Sequence, residues 1–233
     1  MKISELKQKA KADMKNGYGY AILTMILLNL TLFGSMTIGL LIGFILVAGA
    51  VQCCYITYFN DVAMNKREGI DSTYRGFRQF ARALVLYLWE LLFFVVPLLV
   101  VGIILLIIGA ATGNAMASGA GTVTPQSAMT IAGIILGLIY LVYFIWVSLK
   151  LYFSFYILND EVDLSALNCI KKSFAMTKKK MLRLFLFELS FIGWWLLCLI
   201  TFGGMYLYVY PYYMTAKSNL YFDTVGKTPA TAE

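Results

Sequence analysis

Apolar residues follow two rhythms along this chain. In short basic segments they recur every three or four positions, and between those segments they run on almost unbroken. Residues 2–15 are of the first kind: Ile3, Leu6, Ala10 and Met14 sit at helical spacing among Lys2, Lys7, Lys9, Lys11 and Lys15. This pattern predicts an amphipathic helix on a membrane surface, with Ser4 as its cap. Residues 17–59 are almost wholly uncharged. A helix crosses the hydrocarbon core in about 20 residues. The run therefore predicts two spans, 17–33 and 37–59, joined by a turn at Gly34-Ser35.

The alternation then repeats. Residues 60–82 carry Lys66, Arg67, Arg75, Arg78 and Arg82, with Tyr74, Phe77, Ala81 and Leu84 at helical spacing. A third span is expected over 83–109, containing Glu90 and Pro97. Residues 110–128, rich in Ala, Gly, Thr and Ser, read as a loop. A fourth span is expected over 131–158 and contains Lys150. Residues 161–181 are again basic and amphipathic, with Asp163 as a candidate cap. The fifth and sixth spans follow at 182–200 and 205–222, around a tight turn at Thr201-Phe202-Gly203-Gly204. Pro211 lies within the sixth. Residues 224–233 read as a loose tail.

Charge now fixes a direction. All 19 lysines and arginines fall in 1–16, in 60–82, in 150–183 or at Lys217 and Lys227. The turns near Gly34, in 110–128 and near Gly203 hold none. Cytoplasmic loops collect basic residues. The reading is thus an all-α polytopic protein: a single membrane domain over 1–223, six transmembrane helices in three antiparallel hairpins, both termini cytoplasmic. Similar exits close the hairpins: Tyr58-Phe59-Asn60-Asp61, Tyr156-Ile157-Leu158-Asn159-Asp160 and Tyr221-Phe222-Asp223. Interfacial tyrosines and helix-ending Asn or Asp would also produce such exits without any repeat.

Composition agrees with this picture. Of 233 residues, 61% are hydrophobic and 13% charged, with a mean hydropathy of +0.77. Soluble domains are about 45–50% apolar and about 25% charged. The net charge of +7 fits contact with anionic lipid on the cytoplasmic side; no nucleic-acid-binding motif accompanies it. The four cysteines form no CxxC and histidine is absent, so neither a disulfide framework, a metal site nor a cofactor is expected.

In the C-terminal third, Leu184-Phe185, Leu189 to Trp194, Thr201-Phe202-Gly203, Pro211-Tyr212 and Tyr221-Phe222 resemble the signature of a family of small bacterial membrane proteins, domain of unknown function 975. Ile3 to Lys7, and Gly76-Phe77 with Phe80, are similar to that family too. The resemblance implies a bacterial cytoplasmic membrane and no reaction. A fainter likeness to the membrane part of some glycerophosphodiester phosphodiesterases brings no active site, because the soluble catalytic part has no counterpart here.

The candidate chemistry is charge inside apolar runs. Glu90, Lys150, Glu188 and Lys217 each interrupt a span in its cytoplasmic half, on four different helices. A charge at mid-bilayer costs about 2.5–3.5 kcal/mol on insertion scales. Neither glutamate has a basic residue at i±3 or i±4, so partners must come from other helices. The four predict either a neutral cluster lining a cytoplasm-facing cavity, or snorkelling lysines with glutamates that pair with them or sit protonated. Tyr206, Tyr210, Tyr213 and Lys217 share one helical face, which should look inward, where phenols find partners. The functions open to such a chain are binding of a lipid, an amphipathic peptide or a membrane-protein partner, or a role as a small transporter or channel subunit. A lipid-modifying enzyme is a third class; it lacks HExxH, Walker and GxSxG motifs.

Overall fold

In a computed structural model the described residues are 1–15, 17–66, 72–117 and 125–227; among them all regular structure is helical. The elements are α1 (Ile3–Met14), α2 (Tyr18–Ala63), a 3-10 helix (Arg75–Gln79), α3 (Phe80–Ala117), α4 (Pro125–Lys150), α5 (Ser154–Asp160), α6 (Ala166–Thr177), α7 (Met181–Leu189), α8 (Ile192–Ile200) and α9 (Tyr206–Val225). Five stretches are long and apolar enough to cross a membrane: Tyr18–Thr37, Leu41–Ala63, Arg75–Asn114, Gln126–Asp160 and Met181–Ile200. The expected sixth span, α9, is not among them. Its tyrosines and Lys217 lower its apolarity, and most of its residues from Val209 to Phe222 are buried by neighbouring helices.

Helix α2 doubles back on itself. Asn29 Nδ2 donates to Tyr55 Oη at 2.8 Å across 26 positions, a separation of about 39 Å on a straight helix. A Cβ at Gly43 would collide with the Ser35 carbonyl. The reversal therefore falls between these two residues, beyond the Gly34-Ser35 turn expected from sequence.

The chain divides into two units, Met1–Leu88 with Tyr152–Glu233, and Trp89–Leu151. In the second, α3 and α4 run antiparallel. Pro97 has no N–H to offer the Phe93 carbonyl four residues earlier. Tyr143 Oη from α4 supplies that donor at 2.9 Å, and Tyr140 Oη donates to the Phe94 carbonyl at 3.1 Å. The sulfur of Met129 packs 2.9 Å from where a Cβ at Gly109 would stand. Outward side chains such as Leu106, Ile107 and Val142 are exposed and apolar, as lipid contact requires. Helix α3 runs on to Ala117 and α4 starts at Pro125, so helix replaces much of the loop expected at 110–128; its centre, 118–124, lies outside the described residues.

In the first unit three helical exits meet. Tyr55 of α2 packs edge-on against Tyr210 of α9, with ring centroids 5.4 Å apart. Thr57 of α2 donates to Asn159 of α5 at 3.0 Å. Tyr156 of α5 lies 5.1 Å from Tyr221 of α9. Tyr58, Tyr156 and Tyr221, one from each exit, are among the largest fully buried side chains. The basic segments then pack onto these exits in rotation. The 3-10 helix lies over the second arm of α2, where a Cβ on Gly76 would strike the Cys54 backbone. Helix α6 covers α5, and α1 covers α9. Leu6, Ala10 and Met14 of α1 are fully buried, so this face meets protein. Glu5 reaches back to the Lys2 N–H at 2.7 Å; Lys2, not Ser4, is the cap. Ser165, not Asp163, caps α6. Each exit ends on a carboxylate paired with a cation: Asp61 with Arg75 at 3.1 Å, Asp160 with Lys227, and Asp223 with Arg183 at 2.5 Å.

Candidate functional site

Two of the apolar runs are broken. The run expected as the fourth span stops at Lys150 and resumes at Ser154. The fifth is split at Ser190-Phe191 between α7 and α8. A break orphans backbone groups, which need partners away from water. Side chains of the basic helices supply them. Ser173 of α6 accepts from the Phe153 N–H at 3.2 Å. Lys7 of α1 donates to the Ser190 carbonyl at 2.6 Å and stands 4.2 Å above the Phe191 ring. Partial burial pushes the Lys7 ammonium below its ordinary pKa.

Between the two breaks lies a polar cluster. Glu188 is on the last turn of α7, two residues before the second break. Its Oε1 accepts from Tyr152 Oη at 2.5 Å and from Tyr213 Oη at 2.6 Å. Tyr152 sits in the first break, and Tyr213 is on α9. Lys217 is one turn further along α9. Its ammonium lies 4.1 Å from the Tyr152 ring centroid and 5.9 Å from those of Tyr156 and Tyr213. The same two tyrosines thus contact a carboxylate and an ammonium. Ring faces attract a cation through the quadrupole, more strongly once water is excluded. Phenol donors steady a carboxylate by charge-assisted hydrogen bonds.

The stripe on α9 continues toward its N-terminus. The Tyr210 and Tyr206 rings are tilted against each other with centroids 5.1 Å apart, and Tyr55 joins them from α2. Tyr55 Oη in turn bonds Asn29 and the Met25 carbonyl. From Tyr206 to Tyr221 the column extends about 23 Å at 1.5 Å per residue.

Five of the seven sequence-predicted residues, Glu188, Lys217, Tyr206, Tyr210 and Tyr213, lie in this one unit. Glu90 and Lys150 belong to the unit Trp89–Leu151. There Lys150 is buried, with its ammonium 5.8 Å from the Trp146 ring. Sequence reasoning missed Tyr152 and Lys7. Tyr152 hid in an apolar run that shows no helix-breaking residue, and Lys7 was one lysine among five. Tyr156 was visible only as an exit residue. Among the described residues no cluster of His, Cys, Asp and Glu could hold a metal ion.

Among the described residues, five helices long and apolar enough to cross a membrane mark the chain as an all-helical membrane protein. The chain belongs to the family described as protein of unknown function DUF975, which it matches over residues 1–227. No curated protein and no solved structure matches it significantly.

Proposed function

We propose that this protein crosses a bacterial cytoplasmic membrane six times, in three hairpins with both termini inside, and binds the headgroup of a membrane amphiphile at Glu188 and Lys217 without catalysis. One observation carries the binding reading: a carboxylate and an ammonium share Tyr152 and Tyr213 beside two helix breaks. Intramembrane charges that line a ligand site are retained at a cost, whereas a purely structural contact is more cheaply made from apolar side chains. The confinement of basic residues to one set of connections supports the orientation. Helix α9 serves as the sixth span because its phenols find partners inside the protein, so its low apolarity is no obstacle. Exposed Lys11, Lys15, Arg78, Lys171, Lys178 and Lys179 suit the phosphates of anionic lipids at the inner surface.

Native mass spectrometry of the gently extracted protein tests the reading. A retained amphiphile that is lost in Glu188→Gln and Lys217→Met supports it; wild-type protein that emerges bare overturns it. The tyrosine column from Asn29 to Lys217 favours a second reading, a small transporter, because polar groups line much of the height of α9. Flux into proteoliposomes that Glu188→Gln abolishes would select that reading instead.

A further inference from the structure

We propose that the site selects a zwitterion, a primary ammonium next to an anionic oxygen group, over a ligand of net negative charge. The inference rests on the binding reading above and names its ligand class. Three features of the site point the same way.

Glu188 and Lys217 carry opposite formal charges and touch the same two tyrosines. In a medium of low dielectric a net charge is expensive. A ligand whose own charges cancel can replace the internal partners without leaving either residue uncompensated. An anion alone leaves Glu188 and its own charge facing each other.

The Tyr152 and Tyr213 hydroxyls both bind Oε1 of Glu188. A carboxylate has about four acceptor positions, so an ammonium can add to this one. Tyrosine faces stand beside it, as cation recognition requires. At the Lys217 side, Tyr156 Oη lies beside Ser218 Oγ without the geometry of a hydrogen bond. Neither finds a hydrogen-bond partner among the described residues, and the two side chains are 1% and 0% exposed. Two buried hydroxyls, one of them on a ring whose centroid is 5.9 Å from the Lys217 ammonium, make a donor set for anionic oxygens.

A primary ammonium fits better than a quaternary one. It donates hydrogen bonds to Glu188, which a trimethylated nitrogen cannot do. The zwitterion could be a phosphoethanolamine headgroup on a lipid or a small free zwitterion.

The experiment uses full-length protein in mixed vesicles of phosphatidylethanolamine, phosphatidylglycerol and phosphatidylcholine with identical acyl chains, extracted gently and weighed by native mass spectrometry. The expected result is retention of phosphatidylethanolamine at least tenfold over phosphatidylglycerol and over phosphatidylcholine. Glu188→Gln should erase the preference over phosphatidylglycerol. Tyr156→Phe removes only an unpartnered hydroxyl, so it should fold normally yet retain several-fold less phosphatidylethanolamine. A separate arm adds free phosphoethanolamine. Displacement at millimolar concentration assigns the recognition to the headgroup alone; its absence makes the acyl chains part of the ligand; both outcomes support the zwitterion. Preferential retention of phosphatidylglycerol, or a preference untouched by Glu188→Gln and Tyr156→Phe, overturns this proposal and leaves the binding reading standing. Failure of the wild-type protein to retain any lipid or to bind phosphoethanolamine overturns both.

Discussion

Glu188 is held by geometry that a single atom can disturb. Replacing it with Gln keeps its size and an acceptor for the two tyrosines but removes the charge. Hydrogen bonds to charged groups are worth about 1.5–3 kcal/mol and neutral ones about 0.5–1.5. Glu188→Gln should therefore lower thermal stability in detergent by about 1–2 kcal/mol while affecting ligand retention far more. Tyr143 offers a cleaner test of backbone patching. Tyr143→Phe leaves the Phe93 carbonyl without the donor that Pro97 cannot provide. It should cost about 1–3 kcal/mol, and Pro97→Ala should restore the loss, because alanine returns the missing N–H. A double-mutant cycle measured by thermal unfolding checks the coupling. Glu188 and Lys217 were legible in the sequence because charges stand out in apolar runs. Tyr143 was not, since its role depends on the register between two helices.

At the scale of elements, α1 changed most between sequence and structure. Its 3.6-residue periodicity was plain, but periodicity reports an apolar face and not what covers it. Lipid was expected; α9 covers it. Lys7 belongs to that docking, and Lys7→Met, which keeps the apolar stem, should destabilise the protein by about 1–3 kcal/mol as the Ser190 carbonyl loses its donor. Increased hydrogen exchange across α8 would register the loss. Asp13 adds a pH dependence. Burial raises its carboxyl above the ordinary 3.8, opposed by a hydrogen bond from Asn219 and by Lys9. Between the unfolded and the raised folded value the folded state binds more protons. Its contribution is thus fully present below about 3.8 and is lost as pH rises through the folded pKa. Asp13→Asn keeps an acceptor for Asn219 and removes that loss, so its melting temperature should exceed the parent's at pH 7 and match it near pH 3. The breaks at 151–153 and 190–191 were invisible for a simple reason. Neither holds a charge, a glycine or a proline, and hydropathy does not register backbone direction.

For the whole molecule, the all-helical character and the existence of long apolar helices were legible from composition and run length. The role of α9 was only partly so. A helix surrounded by other helices need not be apolar, so its hydropathy does not report its surroundings. An impermeant amine reagent applied to intact cells should leave every lysine unlabelled; a labelled lysine would show that the chain is oriented otherwise. Gly76 tests the rotation of basic segments over the exits. Gly76→Val would push a side chain into the Cys54 backbone and should cost at least about 1–3 kcal/mol, the range for overpacking. Loss of folded protein in fluorescence-detected chromatography would register it.

The docking of α1 on α9 joins two helices that leave the ribosome far apart in time. While the ribosome is still elongating, Leu6, Ala10 and Met14 lack the α9 surface that covers them in the folded chain, and their refuge is lipid. Closure becomes achievable only when synthesis has passed residue 222. A polypeptide aborted before that point would keep a greasy basic helix on display, a ready mark for proteases that clear unfinished products.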